Sequence, residues 1–286
     1  MIAMQPLQWY PGHMAKTRRL IEDNLKWIDV VVEILDARIP FSGRNPAFDD
    51  MLHNKPRLLL LNKSDLADQV LTAQWIQAFH RQGLEVIPVS GQTGAGINKI
   101  APAARKLIQD KLNREQERGL NRTVKIMMVG IPNVGKSTII NRLAGKASAK
   151  TGDRPGVTRG KQWIRLKDSL ELLDTPGILP PKFEDQSVAQ RLAYTGAIKD
   201  EIINTELLAY GLLEYLRDHY ADALCTRYKL ENIGDMAGHA ILAYIGKKRG
   251  FVISGGEIDM ERAANIVLDE FRSSKIGKIT LEVPKN

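Results

Sequence analysis

Gly130-Ile131-Pro132-Asn133-Val134-Gly135-Lys136-Ser137 follows directly on the apolar run Ile126-Met127-Met128-Val129 and precedes Ile139, Ile140 and Leu143 at helical spacing. The octapeptide reads G-x-x-x-x-G-K-S between a buried strand and a helix, the setting that separates a phosphate loop from an accidental glycine turn. Its glycines let the backbone curl until several N–H groups face phosphate oxygens, where a Cβ would obstruct. The helix start behind the loop adds partial positive charge. Lys136 is predicted to bridge the β- and γ-phosphates, which makes it a catalytic candidate, and the Ser137 hydroxyl to bind Mg²⁺. The predicted nucleotide contacts of this loop are Asn133, Val134, Gly135, Lys136, Ser137 and Thr138.

A second arm is expected downstream. Leu170-Glu171-Leu172-Leu173 ends at Asp174-Thr175-Pro176-Gly177. Alone this is a common turn; beside a phosphate loop, Asp174 becomes a Mg²⁺-holding carboxylate and the Gly177 N–H a γ-phosphate contact. A third lies upstream, where the strand-like Leu58-Leu59-Leu60-Leu61 ends at Asn62-Lys63-Ser64-Asp65, an N-K-x-D sequence. Guanine presents two adjacent donors, N1–H and the 2-amino group, and the Asp65 carboxylate can accept both. Adenine would leave that carboxylate unpaired, a difference worth about 10⁴-fold or more in sites of this kind. Asn62 is predicted to brace neighbouring loops and the Lys63 stem to cover the base face. Ser90-Gly91, after the run Val86-Ile87-Pro88-Val89, is predicted to give a backbone N–H to guanine O6.

The order of these segments is inverted relative to Ras-like GTPases, in which the phosphate loop comes first and the base reader late. Parallel strands place all their C-terminal ends on one sheet edge, so the site can be assembled whatever the chain order. The sequence therefore predicts an α/β P-loop GTPase fold with a circularly permuted motif order. Permutation is tolerated when the original ends lie close together. The run Val30-Val31-Val32-Glu33-Ile34-Leu35, ending at Asp36-Ala37-Arg38, adds another parallel strand, and Gln162–Leu166 with Leu170–Leu173 reads as a hairpin across Lys167-Asp168-Ser169.

After Pro180-Pro181 the texture changes to helical stripes: Leu208, Leu212, Tyr215 and Leu216, then Ala263, Ile266, Val267 and Phe271 with Asp259 as N-cap. This predicts a smaller, mainly helical C-terminal domain. The expected division is an N-terminal segment over 1–24, the GTPase domain over 25–182 and the helical domain over 183–286. Of the 286 residues, 43% are hydrophobic and 26% charged, which excludes wholesale disorder. No apolar run reaches the roughly 20 residues that span a bilayer, and the first ten residues lack a secretion signal. Cys225 is the only cysteine, so an internal disulfide and a thiolate metal cluster are both impossible. The net charge of +8 permits a polyanionic partner without requiring one.

Trp9-Tyr10-Pro11-Gly12-His13-Met14, Asp36-Ala37-Arg38, the inverted motif order and Thr151-Gly152-Asp153-Arg154-Pro155-Gly156-Val157-Thr158 together resemble the ribosome biogenesis GTPase A family of bacteria. The likeness spans nearly the whole chain, including Lys247-Lys248-Arg249-Gly250 and Ser254-Gly255-Gly256. It implies a cytoplasmic GTPase that uses GTP and Mg²⁺ in late maturation of the large (50S) ribosomal subunit. The implied partners are the subunit precursor and its rRNA, with no membrane and a monomeric chain. It further implies that Thr158 closes on Mg²⁺ and γ-phosphate in the GTP state and that Asn133 supports K⁺.

Ras-like proteins place a catalytic glutamine after the glycine corresponding to Gly177; this chain has Ile178, which cannot orient water. The resemblance offers His13 instead, and a neutral imidazole can accept a water proton near pH 7. The other reading of His13 is an anchor for the N-terminal helix. Lys16, Arg18, Arg19, Lys247, Lys248 and Arg249 are the candidate RNA contacts, against the alternative of a solvated charged face. The leading expectation is hydrolysis stimulated by the subunit and coupled to its assembly. A nucleotide-gated module that regulates a protein partner is the alternative.

Overall fold

The computed structural model describes residues 11–285 except 53, 121, 146–161, 167–168 and 180–184, and the side chains of 11–15, 162 and 202 also lie outside the description. The described residues form two compact units: one comprises residues 11–179 and the returning tail 280–285, the other residues 185–279. The expected division does not map one to one onto these units. The helix of the N-terminal segment belongs with the sheet, and so does the C-terminal tail.

The first unit is built on a six-stranded sheet. In chain order the strands are β1 Val30–Asp36, β2 Arg57–Asn62, β3 Glu85–Pro88, β4 Val124–Gly130, β5 Gln162–Leu166 and β6 Leu170–Asp174. Their spatial order is β3-β2-β1-β4-β6-β5. All pairs are parallel except β5 with β6, the predicted hairpin, which is antiparallel with Gln162 opposite Asp174 and Leu166 opposite Leu170. Reading β4-β5-β6 before β1-β2-β3 restores the motif order of an unpermuted GTPase. The inner strands are mostly apolar because helices cover both faces, and the buried Glu33 in the middle of β1 is paired with Arg57. Edge strand β5 instead alternates, with Ile164 buried between the exposed Trp163 and Arg165.

Helices α1 Pro11–Leu25, α2 Pro46–Leu52, α3 Gln69–Arg81, α4 Ile100–Lys106, α5 Gln109–Glu117 and α6 Lys136–Ala144 complete the unit. Ile21 of α1, Ile28, and Phe48 and Leu52 of α2 pack on Val31, Met127, Val129, Leu173 and Ile178 in one cluster. Helix α3 starts at Asp68, whose carboxylate accepts the Val70 and Leu71 N–H groups at 2.8 and 3.0 Å. Helix α5 buries none of its residues.

The second unit is helical: α7 Gln186–Tyr194, α8 Thr205–His219, α9 Ala221–Tyr228, α10 Gly238–Arg249 and α11 Met260–Arg272. Leu208, Leu212 and Leu216 of α8 are buried as their spacing predicts, together with Ile241, Leu242, Val267 and Phe271. Tyr215 is only half-buried and stacks on His219, with ring centroids 4.2 Å apart. Asp259 is the predicted N-cap, accepting the Arg262 N–H at 3.0 Å. Arg272 ties α11 to the end of α7, donating to the carbonyls of Tyr194 and Ala193 and pairing with Asp200 at 2.6 Å. Among the described residues no helix is long and apolar enough to cross a membrane.

Candidate nucleotide site

Strands β1, β2, β4 and β6 end at Asp36, Asn62, Gly130 and Asp174, and β3 leads into Ser90, so the predicted site segments all leave the same edge of the sheet. The loops are also bonded to one another. Asn62, 2% exposed, donates its Nδ2 to the Val134 carbonyl of the phosphate loop at 2.7 Å. Its Oδ1 accepts the Gly91 N–H at 2.9 Å. One amide side chain thus bridges the base reader, the Ser90-Gly91 loop and the phosphate loop, the bracing role predicted from sequence. Gly135 has φ of +90°, and a Cβ there would stand 2.4 Å from the Asn62 Nδ2. Only glycine fits where the phosphate loop passes that amide.

Lys63 makes the second bridge. Its Nζ donates to the Asn133 carbonyl at 3.0 Å and pairs with Asp36 at 3.0 Å. Asp36 in turn accepts Nε and Nη2 of Arg38 at 2.9 and 2.7 Å and the Arg38 N–H at 3.0 Å. Burial alone would raise the Asp36 carboxyl, but the Arg38 and Lys63 charges and the hydrogen bonds outweigh it and hold the group well below the usual carboxylate range. Asp36 and Arg38 join the edge of the site through Lys63, a part that sequence reasoning did not derive. Their signal was an acid and a base two residues apart at a parallel strand's C-terminal end.

The Asp174–Gly177 turn is seated against the same loop. Thr175 donates to the Met128 carbonyl at 2.6 Å and the Ile178 N–H to the Gly130 carbonyl at 3.0 Å. A Cβ on Gly177 would lie 2.8 Å from the Pro132 nitrogen, so the Asp174–Gly177 turn runs hard against phosphate-loop backbone. Lys136 is 8% exposed. Burial pushes its ammonium below the ordinary lysine value, and the Asp174 charge opposes that shift. A cation so placed gains most from an arriving polyphosphate. The Ser137 hydroxyl at the start of α6 and the buried Asp174 carboxylate are oxygen donors, the ligand type Mg²⁺ takes when it shares its sphere with phosphates. Bound there, Mg²⁺ would neutralise charge developing on the phosphates.

Asp65 is half-buried, and its Oδ1 is buried with no hydrogen-bond partner, an acceptor standing ready for the donor edge of a base. In the Ser90-Gly91 loop the Ser90 N–H donates to the Ala95 carbonyl at 3.0 Å and the Gly91 N–H to the Asn62 Oδ1 at 2.9 Å. Arg142 of α6 also holds this loop through the Gln92 and Gly91 carbonyls. Thr158 lies outside the described residues, as does the side chain of His13, whose backbone is in the first turn of α1. Thr138 is half-buried in α6. Ile178 is 6% exposed, turned into the cluster that also holds Ile21 of α1.

Of the candidate RNA contacts, Lys16, Arg19, Lys247 and Lys248 are exposed, and Arg18 pairs with Glu22 at 2.8 Å. Arg249 is engaged within its own unit. It pairs with the buried Glu270 at 3.3 Å and lies over the Tyr228 ring.

A strand, phosphate loop and helix joined by buried side chains to an N-K-x-D turn define a P-loop GTPase. Residues 125–218 match the family described as 50S ribosome-binding GTPase. The chain is 48% identical over 281 residues to ribosome biogenesis GTPase A of Bacillus licheniformis, covering 98% of this chain and 99% of that protein. It is 49% identical over 280 residues to the Bacillus cereus protein of the same name, covering 98% and 94%. Among solved structures, GDP-bound YlqF of Thermotoga maritima has a TM-score of 0.69 at 28% identity, covering 94% of this chain and 100% of that one. The chain belongs to the ribosome biogenesis GTPase A family, and it is an enzyme that hydrolyses GTP.

Proposed function

We propose that the chain binds GTP with Asp65 on the guanine donors, the phosphate loop and Lys136 on the phosphates, and Ser137, Asp174 and Thr158 around Mg²⁺. The cycle of binding and hydrolysis drives late maturation of the large ribosomal subunit. The observation that carries this reading is the double bond-making of Asn62, which ties base reader to phosphate loop across 72 residues of chain. Relatives named for ribosome biogenesis support the biological setting, and the exposed Lys247 and Lys248 at the end of α10 support contact with rRNA.

Hydrolysis is triggered by the subunit. Ile178 has no group to hold water, so a second residue must orient the nucleophile, and His13 fills that role. Its helix is anchored on the cluster that receives Ile178, which supports a His13 position governed by whatever binds the N-terminal segment. K⁺ beside Asn133 would add a further charge at the phosphates. GTP turnover with and without purified large subunits tests the reading. Stimulation of about 10-fold or more, lost in His13→Ala with GTP affinity retained, is the expected result. Full stimulated turnover in His13→Ala removes His13 from the mechanism, and absence of any stimulation removes the subunit.

A further inference from the structure

The last described residues leave the helical unit at Ile279 and return to the sheet's unit, where Thr280, Leu281 and Glu282 are all at least 95% buried. Each of the three residues is hydrogen-bonded to a loop of the nucleotide edge. The Leu281 N–H donates to the Arg38 carbonyl at 2.8 Å. The Glu282 carboxylate accepts the N–H groups of Phe41 and Ser42 at 2.7 and 3.0 Å, and the Ser42 hydroxyl as well. The Glu282 carbonyl accepts the Trp75 Nε1–H of α3 at 3.0 Å. Thr280 faces both loops at once, its hydroxyl accepting the Asp68 N–H at 3.1 Å and donating to the Ala37 carbonyl at 3.4 Å.

These anchor points are not scattered. Residues 37–42 are the loop that follows Asp36, the carboxylate that pairs with both Arg38 and Lys63. Asp68 closes the turn that begins at Asn62 and carries Asp65, and it is the N-cap that starts α3. A carboxylate accepting two backbone N–H groups and a hydroxyl is among the stronger uncharged-donor arrangements available to a loop. We propose that Thr280 and Glu282 are positioning residues for base recognition: they lock the loops after β1 and β2 against each other, so that Asp65 meets the guanine edge at a fixed angle. These tail bonds reach the loops after β1 and β2, and the expected effect is on discrimination of the base more than on phosphate affinity. This role rests on the reading of Asp65 as guanine acceptor.

The test uses the full chain and compares Thr280→Val, Glu282→Gln and the pair with Asp65→Ala, by calorimetric titration with Mg²⁺-GDP and Mg²⁺-IDP. Inosine lacks the 2-amino group, so IDP keeps every phosphate contact and loses one of the two donors that Asp65 accepts. GDP should bind the parent protein about tenfold or more tighter than IDP, and Asp65→Ala should erase most of that ratio. The paired tail variant should lower the ratio by about threefold or more while IDP affinity changes by less than about twofold. A tail with a merely structural part would depress the melting temperature, or weaken both nucleotides alike, and leave the ratio unchanged; either result overturns the proposal. An Asp65→Ala protein that keeps the parent ratio overturns the guanine assignment, and the tail's role with it. A collapsed ratio in Asp65→Ala with unchanged tail variants overturns the tail's role alone. If the pair does not fold, Thr280→Val by itself decides, because it removes only a hydroxyl from a side chain of the same shape.

Discussion

The two units bury charge in different ways. In the sheet's unit Asp36, at the end of β1, pairs with Arg38 and Lys63 and connects loops distant in sequence, with the Asp36 and Arg38 side chains 2% exposed. In the helical unit the buried Glu270 joins α11 to α9 and α10 through Arg227 and Arg249, whose side chains are 31% and 36% exposed. The first network has little access to solvent and aligns a binding edge; the second leans on water and fastens helices whose packing is already fixed by Leu212, Leu216, Ile241 and Val267. A buried ion that orients a site cannot be traded for an apolar residue without losing the site. One that staples helices can be weakened at modest cost.

The largest consequence of that contrast is in stability. Asp36→Asn leaves Arg38 buried without its counter-charge and should destabilise the sheet's unit by about 3–5 kcal/mol. Glu270→Gln should cost the helical unit only about 1 kcal/mol. Urea unfolding followed by probes in each unit measures both, and equal losses would erase the distinction. Because the Asp36 carboxyl is depressed in the fold, its contribution is present above the unfolded value of 3.8 and is lost as pH falls through the folded one. Asn62→Ala, which removes both inter-loop bonds at once, should weaken GDP by about 30-fold, or about 2 kcal/mol. The same substitution at Lys247 or Lys248 should leave GDP affinity unchanged. Ile178→Gln tests whether a glutamine can be restored where Ras-like proteins have it. The position faces the Ile21, Val31 and Leu173 cluster, so the amide should cost about 1–3 kcal/mol with no gain in turnover. A faster enzyme would show that the side chain can turn toward the nucleotide. The smallest expected effect is Lys247→Ala with Lys248→Ala, which should lower the salt dependence of subunit binding by about two units of slope and leave free-protein turnover untouched.

The sheet's unit was legible because its signals are local. Residues 126–143 spell strand, loop and helix without a break, four-residue apolar runs end in polar turns, and β5 alternates as an antiparallel edge should. Asp259 announced its helix by the same logic. What sequence did not yield depends on partners far along the chain. Nothing in Thr280-Leu281-Glu282 hints at Ser42 or Asp68, and the fate of the Gly91 N–H became visible only with the Asn62 side-chain Oδ1 beside it. A run of three basic residues carries no sign that Arg249 has a buried acid across the bundle. Tyr215 matched the apolar stripe of α8 yet stacks on His219, since helical spacing fixes a face and not the depth to which it is covered.

Whether one guanine site is assembled from both ends of the permuted order is tested most directly by exchanging the base that Asp65 reads. Xanthine carries a carbonyl where guanine has its 2-amino group, so an amide at position 65 can pair with it where a carboxylate cannot. Calorimetric titration of Asp65→Asn should show GDP weakened by about 100-fold or more and XDP strengthened over the parent protein, with the phosphate loop unaltered. Unchanged GDP affinity, or no gain for XDP, would contradict the assembly of Asp65 and Lys136 into a single site.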